Sequence, residues 1–355
     1  MTTAPDSRTD IRTLSADDLQ TVMAAMGEAP FRARQVHSWI WQKSARSFDA
    51  FTNLSKELRQ KLDEKFCILP IENAGEQLSN DGTVKMAFRL HDQHLIEGVL
   101  IPADDRMTAC VSSQVGCSLT CAFCATGMMK RIRNLTAAEI YDQVVDLSRT
   151  AEKFHHHPLT NIVFMGMGEP LLNYKEVCEG IGRITSPDGL GMSPKRITVS
   201  TAGIAKMIRK LGDDQVRFNL ALSLHAATDE KRDKVMPINE QNNLEVLMDA
   251  LQYFYSKTGN RITFEYLVFK DFNDGVEDAV QLARYCGRIP ARVNIIEYNH
   301  VDGVDFRQTT PERLQAFIDT LEARKVVVNV RRSRGKDIDA ACGQLANKLK
   351  PGNAG

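Results

Sequence analysis

An α/β fold is predicted, with six parallel strands, outer helices, and closure as a barrel or partial barrel behind a helical N-terminal region. Three observations carry this. From Met107 onward, strand-like apolar runs alternate six times with amphipathic helical patterns, as in a parallel sheet flanked by helices. Residues 11–66 carry helical spacing and caps. Residues 67–103, between the two, read as extended. With 355 residues, 43% hydrophobic and 25% charged, the chain is long enough for two domains, or one large domain plus additions, and for a sizeable core.

In the helical region, "TLSADDLQTVMAAMG" places Ser15 as an N-cap with Asp18 three residues on, and ends at Gly27. "FRARQVHSWIWQKSARSF" sets Val36, Trp39 and Ile40 at helical spacing. It holds Arg32, Arg34, Lys43 and Arg46 and no acid. The plain reading is a solvated helix face; basic groups interleaved with aromatic ones also suit an RNA-facing patch. "VKMAFRL" and "IEGVLIP" alternate or run apolar, with "NDG" as a turn before them.

The six strands are "TACVSS", "NIVFMG", "RITVST", "RFNLALSLH", "RITFEYLVF" and "ARVNIIEY". The helices between them are "TAAEIYDQVVDLSRT", "NYKEVCEGIGRI", "GIAKMIRKLG", "NLEVLMDALQYFYSK" and "VEDAVQLARYCG", and "TPERLQAFIDTLEARK" follows the sixth strand. The first opens on a capping box, Thr136 with Glu139. A seventh strand-like run, "KVVVNVRRS", extends one edge. In such folds chemistry gathers on the loops after strand C-termini.

Formal net charge is zero, which excludes a histone-like basic protein but not local patches that bind nucleic acid. No apolar run approaches the ~20 residues of a membrane span. The polar start "MTTAPDSRTD" shows no secretory leader. Eight cysteines in such a chain point to the cytoplasm and to metal binding or catalysis rather than a disulfide framework.

"GCSLTCAFCATG" places Cys117, Cys121 and Cys124 at C-x-x-x-C-x-x-C spacing, on the loop after the first strand. Zinc sites close with a fourth protein ligand, and no partner pair is visible. Ala125 stands where haem attachment needs histidine, and a thioredoxin-like pair needs only two cysteines. Three thiolates suit a [4Fe–4S] cluster whose fourth iron is left to a non-protein ligand.

The loops after later strands supply polar groups. "FMGMGEPLLNY" is not a dinucleotide fingerprint, because Leu171 occupies the third glycine position; it offers Gly168 and Glu169, the latter to a cationic amine. Ser200 follows the third strand, Ser223, Leu224 and His225 the fourth, and Asn299 the sixth. "HHH" at 155–157 reads as a solvated loop on the opposite face.

The cysteine spacing is also the fingerprint of radical S-adenosylmethionine (SAM) enzymes. With "CVSSQVGC", "FMGMGEPLLNY", "STAGI", "LALSLHA", "RRSRGKDIDAACGQL" and the N-terminal "FRARQVHSWIW" and "NLSKELR", the chain resembles the RlmN/Cfr family of bacterial adenine-C2 RNA methyltransferases over about residues 11–348. The resemblance implies a partial (β/α)6 radical SAM barrel. Residues 1–66 would be an RNA-binding accessory domain, 67–103 an extended lead-in, 104–335 the core and 336–355 a segment carrying a methyl-carrier cysteine.

It implies a [4Fe–4S] cluster on Cys117, Cys121 and Cys124, and SAM held by Gly168, Glu169, Ser200, Ser223, Leu224, His225 and Asn299. It further implies Cys342 as the cysteine methylated by a first SAM, Cys110 as the resolving cysteine that ends in a disulfide with it, and Glu97 as proton acceptor, a role the sequence leaves open between Glu97 and Cys110. Without it, Cys110 and Cys342 would read as packing residues, as Cys67, Cys178 and Cys286 do. The implied substrates are 23S rRNA and a tRNA adenine beside the anticodon. The implied partners are an electron donor such as a flavodoxin system and a disulfide reductant, with the enzyme a monomer. Methylation at carbon 8, the antibiotic-resistance activity, is the alternative within the family. Two basic groups are expected to hold RNA phosphates: Arg331, Arg332, Arg334 and Lys336, and Lys130, Arg131 and Arg133.

Overall fold

In the computed structural model, residues 8–347 are described. Residues 1–7 of the polar start and 348–355 of the C-terminal segment lie outside the described residues. The helical region holds α1 (Ala16–Ala25), α2 (Phe31–Trp41) and α3 (Lys56–Lys65). Ser15 and Asp18 form the expected capping box. The next strands are β1 (Glu72–Leu78), β2 (Val84–Arg89), β3 (Leu95–Ala103) and β4 (Arg106–Cys110). Then come α4 (Ala137–His155), β5 (Asn161–Phe164), α5 (Tyr174–Thr185), β6 (Ile197–Thr201), α6 (Ala205–Asp213) and β7 (Asn219–Ser223). The chain continues through α7 (Asp229–Val235), α8 (Leu244–Thr258), β8 (Ile262–Val268), α9 (Val276–Cys286), β9 (Ala291–Glu297), α10 (Pro311–Glu322) and β10 (Val328–Arg331).

All ten strands join one sheet in chain order, β1 to β10. From β4 to β10 neighbours are parallel, making the partial barrel with the predicted seventh strand on its edge. The lead-in segment does more than precede the barrel. β1, β2 and β3 continue the sheet antiparallel, with Val99 of β3 opposite Cys110 of β4. The first barrel strand is shorter than expected. The pairing ends after Cys110: the Val111 N–H still donates to Val163 O of β5, whereas the Ser113 N–H donates to Met167 O in the loop beyond it.

One hydrophobic core runs from Ile11 through the sheet to Leu321. The helical region is tied to α4 by buried charge: Arg12 donates to Asp142 Oδ2 at 2.7 Å, Arg46 pairs with Asp146, and Trp41 packs edge-on against Tyr141. Arg46 is therefore a structural contact rather than part of a free basic face. The run 155–157 starts inside α4, whose last residue is His155 and whose left-handed cap is His156. The sequence reading had not anticipated α7: its residues "DEKRDKV" are too charged and too few to show an apolar stripe.

Candidate functional site

The loop from β4 to α4 is folded back on itself. Gln114–Val115 pairs antiparallel with Arg133–Asn134 at its base. Gly116 there has φ 74°, and a Cβ would lie 2.2 Å from Lys130 O, so only glycine fits. This brings Cys117, Cys121 and Cys124 to one wall of a cleft at the C-terminal ends of the parallel strands. Burial pushes the Cys117 thiol up to about 11 and raises Cys121 and Cys124 as well; Cys124 disfavours charge on the other two, and Cys117 on Cys121. Three adjacent thiolates there need a cationic partner. Among the described residues no three His, Cys, Asp or Glu side chains converge tightly enough for a single metal ion. In a cluster each of three thiolates takes a different iron.

The opposite wall comes from the loops after β5, β6 and β7. Gly168, at φ 93°, lets the chain pass Gln114, whose Cβ would sit 2.5 Å from an added Cβ. Glu169 beside it is buried, its Oε1 accepting from Leu171 N at 3.0 Å and its Oε2 from Ala202 N at 2.8 Å. Burial raises its pKa against these donors, so an ammonium group placed there would restore the carboxylate. Ser200 Oγ and Ser223 Oγ stand 3.2 Å apart on the same wall. His225, at φ 56°, accepts the Leu267 N–H on Nδ1 at 3.1 Å, which leaves Nε2 protonated. Burial, aided by Arg232, holds its pKa down to about 3, so the ring is neutral.

Cys342 also lines the cleft, and its side chain is exposed. Cys110 is buried behind it, close enough for their charges to interact. Burial first and Cys342 second push the Cys110 thiol up to about 12, while Arg331 opposes them.

Besides the buried Cys110, three expected site residues do not line the cleft. Leu224 packs into the core. Asn299 is buried beyond β9, with Oδ1 unpartnered among the described residues. Glu97 lies wholly buried under the segment that follows Cys342: Oε2 accepts from Ala346 N at 2.9 Å and Asn347 N at 3.1 Å, and Oε1 lies 3.7 Å from Lys85 Nζ.

Residues 9–68 match the ribosomal RNA large subunit methyltransferase N-terminal domain, and residues 111–283 match the radical SAM superfamily. A probable dual-specificity RNA methyltransferase RlmN from Cytophaga hutchinsonii is 58% identical over 338 residues, covering 95% of this chain and 93% of that protein. The chain belongs to the RlmN family. A dual-specificity RNA methyltransferase RlmN from Anaeromyxobacter sp. strain Fw109-5 is 47% identical over 353 residues, covering 98% of this chain and 93% of that protein. The crystal structure of a radical SAM methyltransferase from Sphaerobacter thermophilus superposes with a TM-score of 0.90 at 39% identity, covering 95% of this chain and 99% of that one. As a radical SAM protein, this RlmN family member uses a [4Fe–4S] cluster and SAM, and the three-thiol wall facing Glu169 fits both.

Two residues expected to hold phosphates are already paired. Arg331 lines the cleft and donates to Glu265 Oε2 at 3.1 Å. Arg133 is held by Asp92 and Glu139. Arg332, Arg334, Lys130 and Arg131 are exposed, and Lys336 lies 3.5 Å from Glu297. Sequence reasoning missed Glu265 and Arg232. The signal for Glu265 was present, a lone acid in the middle of the apolar run "RITFEYLVF". Arg232 sits in an ordinary charged stretch and gave none.

Proposed function

We propose that this chain is an RNA methyltransferase that methylates carbon 2 of adenine, in 23S rRNA and in tRNA beside the anticodon, through an S-methylcysteine at Cys342. The observation that carries the reading is the exposure of Cys342 in the same cleft as the three-cysteine loop, with Cys110 behind it. Adenine C2 is electron-poor and has no acidic proton, so it is a poor nucleophile toward a sulfonium methyl. Bound in this cleft, the cluster and SAM supply a 5′-deoxyadenosyl radical able to take hydrogen from a thioether methyl.

Cys342 carries that methyl; after losing hydrogen its carbon joins C2, and the bridged adduct becomes closed-shell once it has given up the C2 proton and one electron, which the oxidised cluster would accept. Glu97 or Cys110 accepts the C2 proton in this scheme; Glu97 lies buried beneath the carrier segment, its Oε1 3.7 Å from Lys85 Nζ and its Oε2 held by backbone N–H groups. Cys110 attacks the Cys342 sulfur, the sulfur–carbon bond breaks with its electron pair passing to the carbon, which takes up a proton to become the methyl group, and a Cys110–Cys342 disulfide remains for an external reductant. Gly168, Glu169, Ser200, Ser223 and His225, which line the cleft, bind SAM, and Cys117, Cys121 and Cys124 hold the cluster. A base must leave its stack to reach such a cleft, which favours adenines in loops. Residues 1–66 serve as the RNA-binding accessory domain, and a flavodoxin-type donor supplies electrons. Among the described residues no helix is long and apolar enough to cross a membrane.

The test is to incubate anaerobically reconstituted protein with SAM, reductant and separated rRNA and tRNA from a methylation-deficient strain. Digested nucleosides are then identified by mass spectrometry. 2-Methyladenosine is expected from both RNAs. 8-Methyladenosine would move the enzyme to the resistance-type activity, and SAM cleavage with neither product would overturn the substrate assignment. Cys110→Ala should accumulate a covalent protein–RNA adduct.

A further inference from the structure

Arg232, on α7, is wholly buried. Its Nε donates to Leu224 O at 3.1 Å, Nη1 to Asn239 Oδ1 at 2.7 Å, and Nη2 to Ala202 O at 2.5 Å and Ser223 O at 3.3 Å. Every acceptor is neutral, and among the described residues no carboxylate makes an ion pair with it. Asp229 and Asp233 stand near enough to favour its charge without bonding to it, and Asn239 Nδ2 donates to both at 2.9 and 2.7 Å. Burial draws its pKa down to about 10, so it is charged at neutral pH. An incompletely balanced cation in the interior is costly unless an anion shares its surroundings.

The direction in which that anion lies is visible. Ala202, whose carbonyl accepts from Arg232 Nη2, lines the same cleft as Cys121. α7 is also joined to the cysteine loop directly, the Ala122 N–H donating to Val235 O at 3.0 Å. A cluster held by three thiolates carries net negative charge, and the electron that reduces it adds more. A fixed cation in a low-dielectric setting favours the more negative state.

We propose that Arg232 is the buried counter-charge of the cluster and sets its reduction potential, raising it toward the range a cellular donor can supply. It is a positioning residue as well, because it holds Ala202, whose N–H binds Glu169. The two roles separate experimentally. The potential role follows charge, and the positioning role follows hydrogen-bond geometry.

The experiment is a redox titration of the reconstituted holoprotein, without RNA or SAM, read by the electron paramagnetic resonance signal of the reduced cluster. Arg232→Gln should shift the midpoint potential negative, and Arg232→Lys should leave it near that of the unsubstituted protein. Asp233→Asn removes a negative charge from the far side of Arg232 and should shift the potential positive. This variant decides the matter even if Arg232→Gln fails to retain a cluster. Equal shifts in the Lys and Gln variants, or an unmoved potential in Asp233→Asn, would overturn the proposal and leave Arg232 a hydrogen-bond anchor. Because no RNA is present, failure here is distinguishable from failure of the proposed RNA activity.

Discussion

The segment bearing Cys342 should be held shut mainly from beneath, and Glu97→Gln tests this. Glu97 and Lys85 are both buried in the sheet, on β3 and β2. Glu97 Oε2 accepts two backbone N–H groups, from Ala346 and Asn347, at 2.9 and 3.1 Å. Further bonds run from Ala125 N to Gly343 O at 2.8 Å and from Thr126 Oγ1 to Leu345 O at 2.7 Å. A hydrogen bond to a charged group is worth about 1.5–3 kcal/mol net, and a neutral one about 1 kcal/mol. Exchanging carboxylate for amide at two bonds should therefore loosen the segment by about 1–4 kcal/mol, or roughly five-fold to several hundred-fold in local opening. Hydrogen exchange measured by mass spectrometry reads this directly. Peptides covering residues 343–347 should exchange faster in Glu97→Gln, while peptides of α8 should keep their rates. Unchanged exchange at 343–347, or an equal rise in α8, would refute the idea that Glu97 clasps the carrier segment.

Breaking the buried Arg12–Asp142 pair by Arg12→Met should cost about 3–5 kcal/mol, because it leaves a buried carboxylate unpaired; chemical denaturation would measure it. Glu169→Gln should weaken SAM binding by tenfold or more while cluster content is unchanged, read by equilibrium binding and iron analysis, because the carboxylate would lose its attraction for a cationic amine. In the cluster-free protein, Cys110 keeps its proton to about pH 12, whereas the unfolded thiol releases it near pH 9.0. The unfolded state thus binds fewer protons, and stability should fall by up to ~1.4 kcal/mol per pH unit above pH 9 from this group. Alkaline melting curves of Cys110→Ala should be flatter. Neutralising Arg332 and Arg334 should weaken RNA binding and lessen its salt dependence, while neutralising the already paired Arg133 should act mainly on stability.

The sequence alone determined the alternation of six strands with helices, the seventh edge strand, both capping boxes and the three-cysteine loop. These are local: a period of two or 3.6 residues, a cap three residues from its partner, and a ligand spacing of a few residues can all be read without knowing what lies across the fold. It also marked Glu169, Ser200, Ser223 and His225, because a strand-end loop has a known side in a parallel sheet. Only the tertiary structure decided the rest. Whether an arginine is free for phosphate depends on which acids stand beside it. Arg331 is matched to Glu265 across 66 positions, and Arg133 to Asp92 across 41. The continuation of the sheet through β1 to β3 rests on register pairs such as Val99 with Cys110, which no periodicity encodes. Arg232 is charged surface by sequence and buried counter-charge by structure. The meaning of a charge is set by the dielectric and the neighbours that folding brings to it, and those come from residues far away in the chain.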